Sequence, residues 1–167
     1  MHPIDWQILA ILQEDGKTTY GELAKRVGLS QAAAHERVKK LEARGVIKGY
    51  RAVVDAEALG YGVVAFVFVD NAAFDVPDFT DRLKDLPNVL ECHAVAGEWA
   101  YLLKVRAEST TDLERVLHQI RCVEDVHRTQ SVIGLSTAFE TTTLPVPDAP
   151  EADDEEPPQL SARRKSA

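Results

Sequence analysis

At about 100° per residue, Gln31, Ala32, His35, Glu36 and Lys39 fall on one side of a helix. Arg37, Lys40 and Arg44 line its flank. As a set these side chains have a chemistry. The amide of Gln31 matches the donor–acceptor edge of adenine, Glu36 can accept from cytosine, and Ala32 can touch a thymine methyl. His35 can donate to a base edge or to a phosphate. Lys39 and Lys40, joined further on by Lys48 and Arg51, can hold phosphates without reading sequence. Arg37 is placed with these positioning cations, although its flank position also allows an ion pair within the protein.

The elements that must carry this set are legible around it. Ala34, Val38 and Leu41 recur at i, i+4, i+7 and give the same helix an apolar stripe opposite its polar face. Ser30 can cap that helix, and it is counted with the DNA-contacting residues. Thr19 and Glu22 have the spacing of a capping box ahead of a shorter helix with Leu23, Ala24 and Val27 inside. Gly28 stops that helix where a left-handed residue is wanted. Two apolar-faced helices joined by Gly28–Leu29 have the form of a helix-turn-helix, whose second helix enters the DNA major groove. A first helix, Asp5 to Asp15, supplies Ile8, Leu9 and Leu12 and completes a three-helix unit. Val46 to Val54, interrupted by Gly49, is expected as an extended arm or wing.

Net charge of −8 over 167 residues argues against a polyanionic partner. Its distribution argues for one. Residues 1–52 hold nine Lys and Arg against six Asp and Glu, whereas the remainder holds ten against twenty-one. A basic head on an acidic body is the asymmetry expected when only one part meets phosphate. No apolar run approaches the roughly 20 residues of a membrane span. The start of the chain has no basic, apolar, small-residue export pattern, so the expected location is the cytoplasm. Cys92 and Cys122, far apart and outside any metal-spaced cluster, are expected as reduced core thiols.

After a linker over 55–62 the pattern changes. The run 63–69 suits a buried strand, and residues 75–86 have helical spacing. Residues 89–96 and 99–106 are strand candidates around Gly97–Glu98. A further helix starts at Ser109, and 126–139 returns to strand. The order βαββαβ closes as a four-stranded antiparallel sheet with both helices on one face, a ferredoxin-like arrangement. The fold class is therefore α+β: a winged helix-turn-helix over 1–54, then a ferredoxin-like domain over 63–144. Residues 145–167, rich in proline and acid, are expected to be disordered.

No catalytic constellation emerges. Cys92 and His93 are adjacent, but neighbouring strand residues point to opposite faces. A metal site needs three or four convergent ligands, and the remaining histidines have no such spacing. The expectation is no catalytic residue, no metal and no cofactor.

Residues 4–144 resemble the Lrp/AsnC family of feast/famine transcriptional regulators. The resemblance is carried by IDWQILAILQEDGKTT (4–19), ELAKRVGLS (22–30), ERVKKLEARGVIKGYRAVVD (36–55), LGYGVVAFVFV (59–69) and ECHAVAGEWAYLLKV (91–105). It implies double-stranded DNA as partner, dimers formed through the C-terminal sheet, tetramers or octamers built from them, and an amino-acid effector bound between dimers. It also implies an effector site at Gly97, Glu98, Trp99 and Ala100, with Thr129, Ser131, Val132, Ile133 and Gly134 lining the cleft. This chain departs from the family there, because Ala100 replaces an acid expected to hold the ligand's amino group. A hydrogen bond to a charged group is worth about 1.5–3 kcal/mol, so the change weakens a standard amino acid roughly ten- to a hundredfold. Siroheme decarboxylases resemble the same two-domain architecture, but the aromatic- and histidine-rich segment expected of them is not matched by ECHAVAGEWAYLLKV. An oligomerising amino-acid sensor that binds no DNA is a further alternative, against which the full helix-turn-helix head speaks.

Overall fold

The computed structural model describes residues 1–71 and 77–147. The chain divides into two compact units, one of residues 1–52 with the segment from 141 onward, the other of residues 53–140. Within the described residues no helix is long and apolar enough to cross a membrane.

The first unit, the head, contains α1 (Pro3–Glu14), α2 (Tyr20–Val27) and α3 (Gln31–Ala43). Ile8, Leu23, Ala24, Ala34, Val38 and Leu41 are the centre of its core, at the positions the helical periodicity selects. Thr19 Oγ1 accepts from the Glu22 amide at 3.3 Å, and Gly28 ends α2 with φ 70°, ψ 34°. Ser30 caps α3 by accepting from the Ala33 amide at 3.2 Å. A full reciprocal capping box stands at α1 instead, where His2 accepts from Ile4 and Asp5 accepts from the His2 amide. That box starts α1 at Pro3, two residues before the expected Asp5. Residues 46–54 form no paired strand. The arm they make is held to α3 by a hydrogen bond from Tyr50 Oη to Glu42 at 3.0 Å.

Residues 144–146, expected at the margin of a disordered tail, lie against the head. The Gln13 side chain donates to the Leu144 carbonyl and accepts from its amide, at 3.1 and 2.8 Å. Leu144, Pro145 and Val146 line an apolar groove with Trp6, Leu9 and Leu12. The remainder of the expected tail, 148–167, lies outside the described residues, as do residues 75 and 76 of the expected helix.

The second unit, the body, contains β1 (Val63–Asn71), α4 (Pro77–Lys84), β2 (Val89–Ala94), β3 (Tyr101–Ala107), α5 (Thr110–Arg121) and β4 (Val126–Gly134). The strands are antiparallel in the order β2-β3-β1-β4. One face is closed by the helices. Ala65, Val67 and Val69 of β1 and Leu103 and Val105 of β3 pack there with Phe79, Leu83, Val116 and Ile120, all fully buried. The other face carries Phe66, Lys104 and Val132, with Phe66 39% and Val132 49% exposed. Within the expected linker, 55–62, residues 55–61 form a turn in which Asp55 Oδ1 accepts from the Glu57 amide at 2.9 Å.

Strand β4 ends at Gly134 rather than running on to Phe139. Its partner β1 begins at Val63, and the last pair is Val64 with Gly134, so residues beyond have no ladder to join. At that pair a Cβ on residue 134 would come within 2.6 Å of Val64 Cγ1. Both cysteines are free and exposed rather than core thiols. Cys92 lies on β2, the edge strand of the sheet, where only one neighbour covers it.

Candidate nucleic-acid interface and effector cleft

On α3, Gln31, Ala32, Glu36, Lys39 and Lys40 are exposed, and His35 is half-buried. Burial of the Ala34–Val38–Leu41 stripe orients the helix and turns these residues outward. Among the described residues, Lys39, Lys40, Lys48 and Arg51 take part in no ion pair. Their charge is available to an external anion.

Tyr20 joins this face, a residue the periodicity alone does not select. At the first position of α2 it stands edge-on to His35, with ring centroids 4.7 Å apart and planes at 89°. Tyr20, Gln31, Ala32 and His35 together line a shallow depression at the start of α3. By spacing Tyr20 continues the apolar stripe of α2, three and four residues before Leu23 and Ala24, but as the first residue of the helix, directly after the Thr19 cap, it is left 36% exposed.

Arg37 takes the internal option. Its Nη1 lies 2.8 Å from Asp5 Oδ1, and the two side chains are 31% and 11% exposed. Ser30 Oγ is engaged as the α3 cap. Burial and the hydrogen bond to Glu42 push the Tyr50 hydroxyl up to about 12, so the link between arm and helix stays protonated across physiological pH.

In the body, residues 95–100 connect β2 to β3. Val95 donates to the Ala100 carbonyl at 3.0 Å, Ala100 donates to the Val69 carbonyl at 3.1 Å, and Gly97 adopts φ 132°. The backbone of Ala100 thus ties the loop to the end of β1. Trp99 lies against Phe68, with ring centroids 5.9 Å apart. Arg128 of β4 completes the cluster. Its guanidinium carbon is 4.2 Å from the Trp99 ring centroid, Nη1 is 3.1 Å from Glu98 Oε1, and Nη2 is 3.7 Å from Asp70 Oδ2.

The β4 residues expected to line a cleft do not share a face. Thr129, Ser131 and Ile133 pair with Val69, Val67 and Ala65 on the helix-covered side, whereas Val132 and Gly134 pair with Phe66 and Val64 on the open side. The structure therefore brings Glu98 and Trp99 to Arg128, Phe68 and Asp70. None of these three is singled out by the sequence pattern, since 30 residues separate Glu98 from Arg128.

His93 and Cys92 make no joint site: His93 pairs in register with Leu102, Cys92 with Leu103, and His93 Nε2 lies 3.1 Å from Glu91. No group of three or more metal-ligating side chains exists among the described residues.

Comparison with known proteins agrees with this architecture. The family model described as winged helix-turn-helix DNA-binding matches residues 1–48, and that described as the Lrp/AsnC ligand binding domain matches 63–144. The chain is 42% identical over 137 residues to the transcriptional regulator LrpA of Mycobacterium tuberculosis, covering 81% of this chain and 91% of that protein. It is 36% identical over 143 residues to the regulator FL11 of Pyrococcus furiosus, covering 86% and 95%. Among solved structures, the feast or famine regulatory protein of M. tuberculosis complexed with L-methionine matches at 39% identity and TM-score 0.80, covering 86% of this chain and 97% of that one. A transcriptional regulator of Neisseria meningitidis, also complexed with L-methionine, matches at 31% identity and TM-score 0.77, covering 88% and 97%. With both of its domains matched in order and at these identities, the chain belongs to the Lrp/AsnC family of transcriptional regulators.

Proposed function

We propose that this chain is a cytoplasmic regulator, without enzymatic activity, that binds double-stranded DNA through α3 as a homodimer. The observation that carries the reading is the outer face of the head: polar side chains at the start of α3 beside lysines that, among the described residues, pair with no carboxylate. Gln31, Ala32, His35 and Glu36 face base edges, with Tyr20 buttressing His35. Lys39, Lys40, Lys48 and Arg51 hold the phosphates, and their contribution is independent of sequence.

Two heads in one dimer reach successive major grooves about one helical turn apart. The second copy is expected on the open side of the sheet. Phe66 and Val132 lie there side by side, next to the ion-paired Lys104 and Arg106 of β3, a mixed surface of the kind that interfaces between copies use. Assembly into tetramers or octamers would follow from further contacts between dimers. An amino-acid effector at the 97–100 loop is supported by the two relatives seen with L-methionine. The lack of an acid at position 100 predicts weak binding of standard amino acids.

A gel-shift on DNA upstream of the protein's own gene, with and without pooled amino acids, tests the reading. A specific, competitor-resistant shift is expected, and Gln31→Ala should change which sequence is preferred. A protein that retains all DNA equally, or none, would overturn it.

A further inference from the structure

The cluster around Trp99 has the composition of a receptor for an organic cation. It offers the face of an indole, the carboxylate of Glu98 beside it and the carboxylate of Asp70 across from it, all at one end of the sheet's open side. Aromatic faces flanked by carboxylates attract ammonium and guanidinium groups through the ring quadrupole and through charge-assisted hydrogen bonds. Here the receptor already holds a cation. The Arg128 guanidinium lies 4.2 Å from the indole centroid and within 3.1 Å of Glu98 and 3.7 Å of Asp70. All three cation-binding elements converge on it.

We infer that Arg128 is a built-in occupant of the Glu98–Trp99–Asp70 cage, a specificity residue that keeps the ammonium group of free amines and amino acids out. The inference rests on the effector reading only for placing this cage at the regulatory site. The cage has one net negative charge while Arg128 is in it and two when Arg128 is removed. An incoming ammonium must displace a guanidinium tethered to the same chain, whose effective concentration exceeds that of a dilute ligand. Arginine suits the task because its planar group stacks on the indole while its fork reaches two carboxylates, which a lysine ammonium cannot do together.

Removal of the plug should therefore create an amine site. The probes are 3-(methylthio)propylamine, 4-(methylthio)butanoate and L-methionine, which separate the amine, the acid and the two together. Isothermal titration of the full chain should show Arg128→Gln binding the amine and L-methionine at least tenfold more tightly than the unaltered protein, with the acid unchanged. Adding Glu98→Gln to Arg128→Gln should abolish the gain. Circular dichroism of each variant checks that the fold is retained, and Arg128→Lys gives an intermediate gain.

Equal amine affinity in Arg128→Gln and the unaltered chain would overturn the proposal. So would loss of acid binding in Arg128→Gln, which would make Arg128 a carboxylate receiver instead. Failure of the effector reading looks different: Arg128→Gln would gain the amine, yet L-methionine would leave DNA retention unaltered in every variant.

Discussion

The outer face of α3 and the Trp99 cluster are both rich in charge, and they handle it in opposite ways. On α3 the ammonium groups of Lys39 and Lys40 point to solvent with no acidic partner among the described residues. Around Trp99 one arginine serves two carboxylates and a ring at once. A surface that leaves its charges unmatched keeps them for an external partner, and their attraction for a polyanion is long-ranged and salt-sensitive. A surface that matches its charges internally has already used them to fix a loop. The first arrangement suits DNA, and the second selects against ligands that duplicate the internal cation.

Arg37 sits on the helix of the first kind but behaves as the second, and breaking its pair gives the largest expected effect. Asp5 is 8% exposed and also closes the α1 capping box. Asp5→Ala leaves a half-buried guanidinium without its carboxylate and should cost about 3 kcal/mol of head stability. Denaturant titration followed at the Trp6 fluorescence would measure it. Under conditions where the variant remains folded, freeing Arg37 should leave the salt dependence of DNA binding unchanged. A steeper dependence would make Arg37 a phosphate contact.

Lys39→Ala probes the unmatched surface and should cost less. Removing one phosphate contact should lower the slope of log affinity against log salt by about 0.9. Affinity should fall alike for every DNA sequence, because a phosphate contact carries no base information. A sequence-dependent loss would move Lys39 into the base-reading set beside Gln31.

The two regions were unequally legible in the sequence. The head is built from local rules. Thr19, Gly28 and Ser30 mark helix ends within a few residues of the positions they cap, and the apolar stripe of α3 alone orients its outer face. The cluster around Trp99 depends on non-local pairing. Glu98 meets Arg128 only because β1 and β4 pair in one register, and no periodicity reports that register. The exposed cysteines follow from the same cause for Cys92, since the spacing of β2 does not reveal that it is an edge strand. The end of β4 was hidden for a related reason. The alternation beyond Gly134 continues to look like a strand, but it is the length of β1, 70 residues earlier in the chain, that stops it.

The smallest expected effect concerns charge that is matched but still half exposed. On the open side of the sheet Glu140 bonds Lys104 and Arg106, and Lys104 also reaches Glu91. The hydrogen bond from Lys104, then that from Arg106, holds the Glu140 carboxyl below its ordinary value of 4.5, and the bond to Glu140 raises Lys104 above 10.5. A carboxyl lowered in the folded state stabilises it above the unfolded value, and that stabilisation is lost as pH falls through the folded value. A lysine raised in the folded state does the reverse, contributing below 10.5 and losing its contribution as pH rises further. The network therefore contributes fully between about 4.5 and 10.5 and fades outside that window. Solvent screening keeps the contribution small, because the Glu140 side chain is 43% exposed. Glu140→Gln should flatten the acid limb of stability against pH, measured by urea midpoints from pH 3 to 7, and leave DNA binding at neutral pH unchanged. If the acid limb keeps its slope in that variant, the carboxylate that titrates lies elsewhere. Glu91, lowered chiefly by its bond to His93, is then the next to substitute.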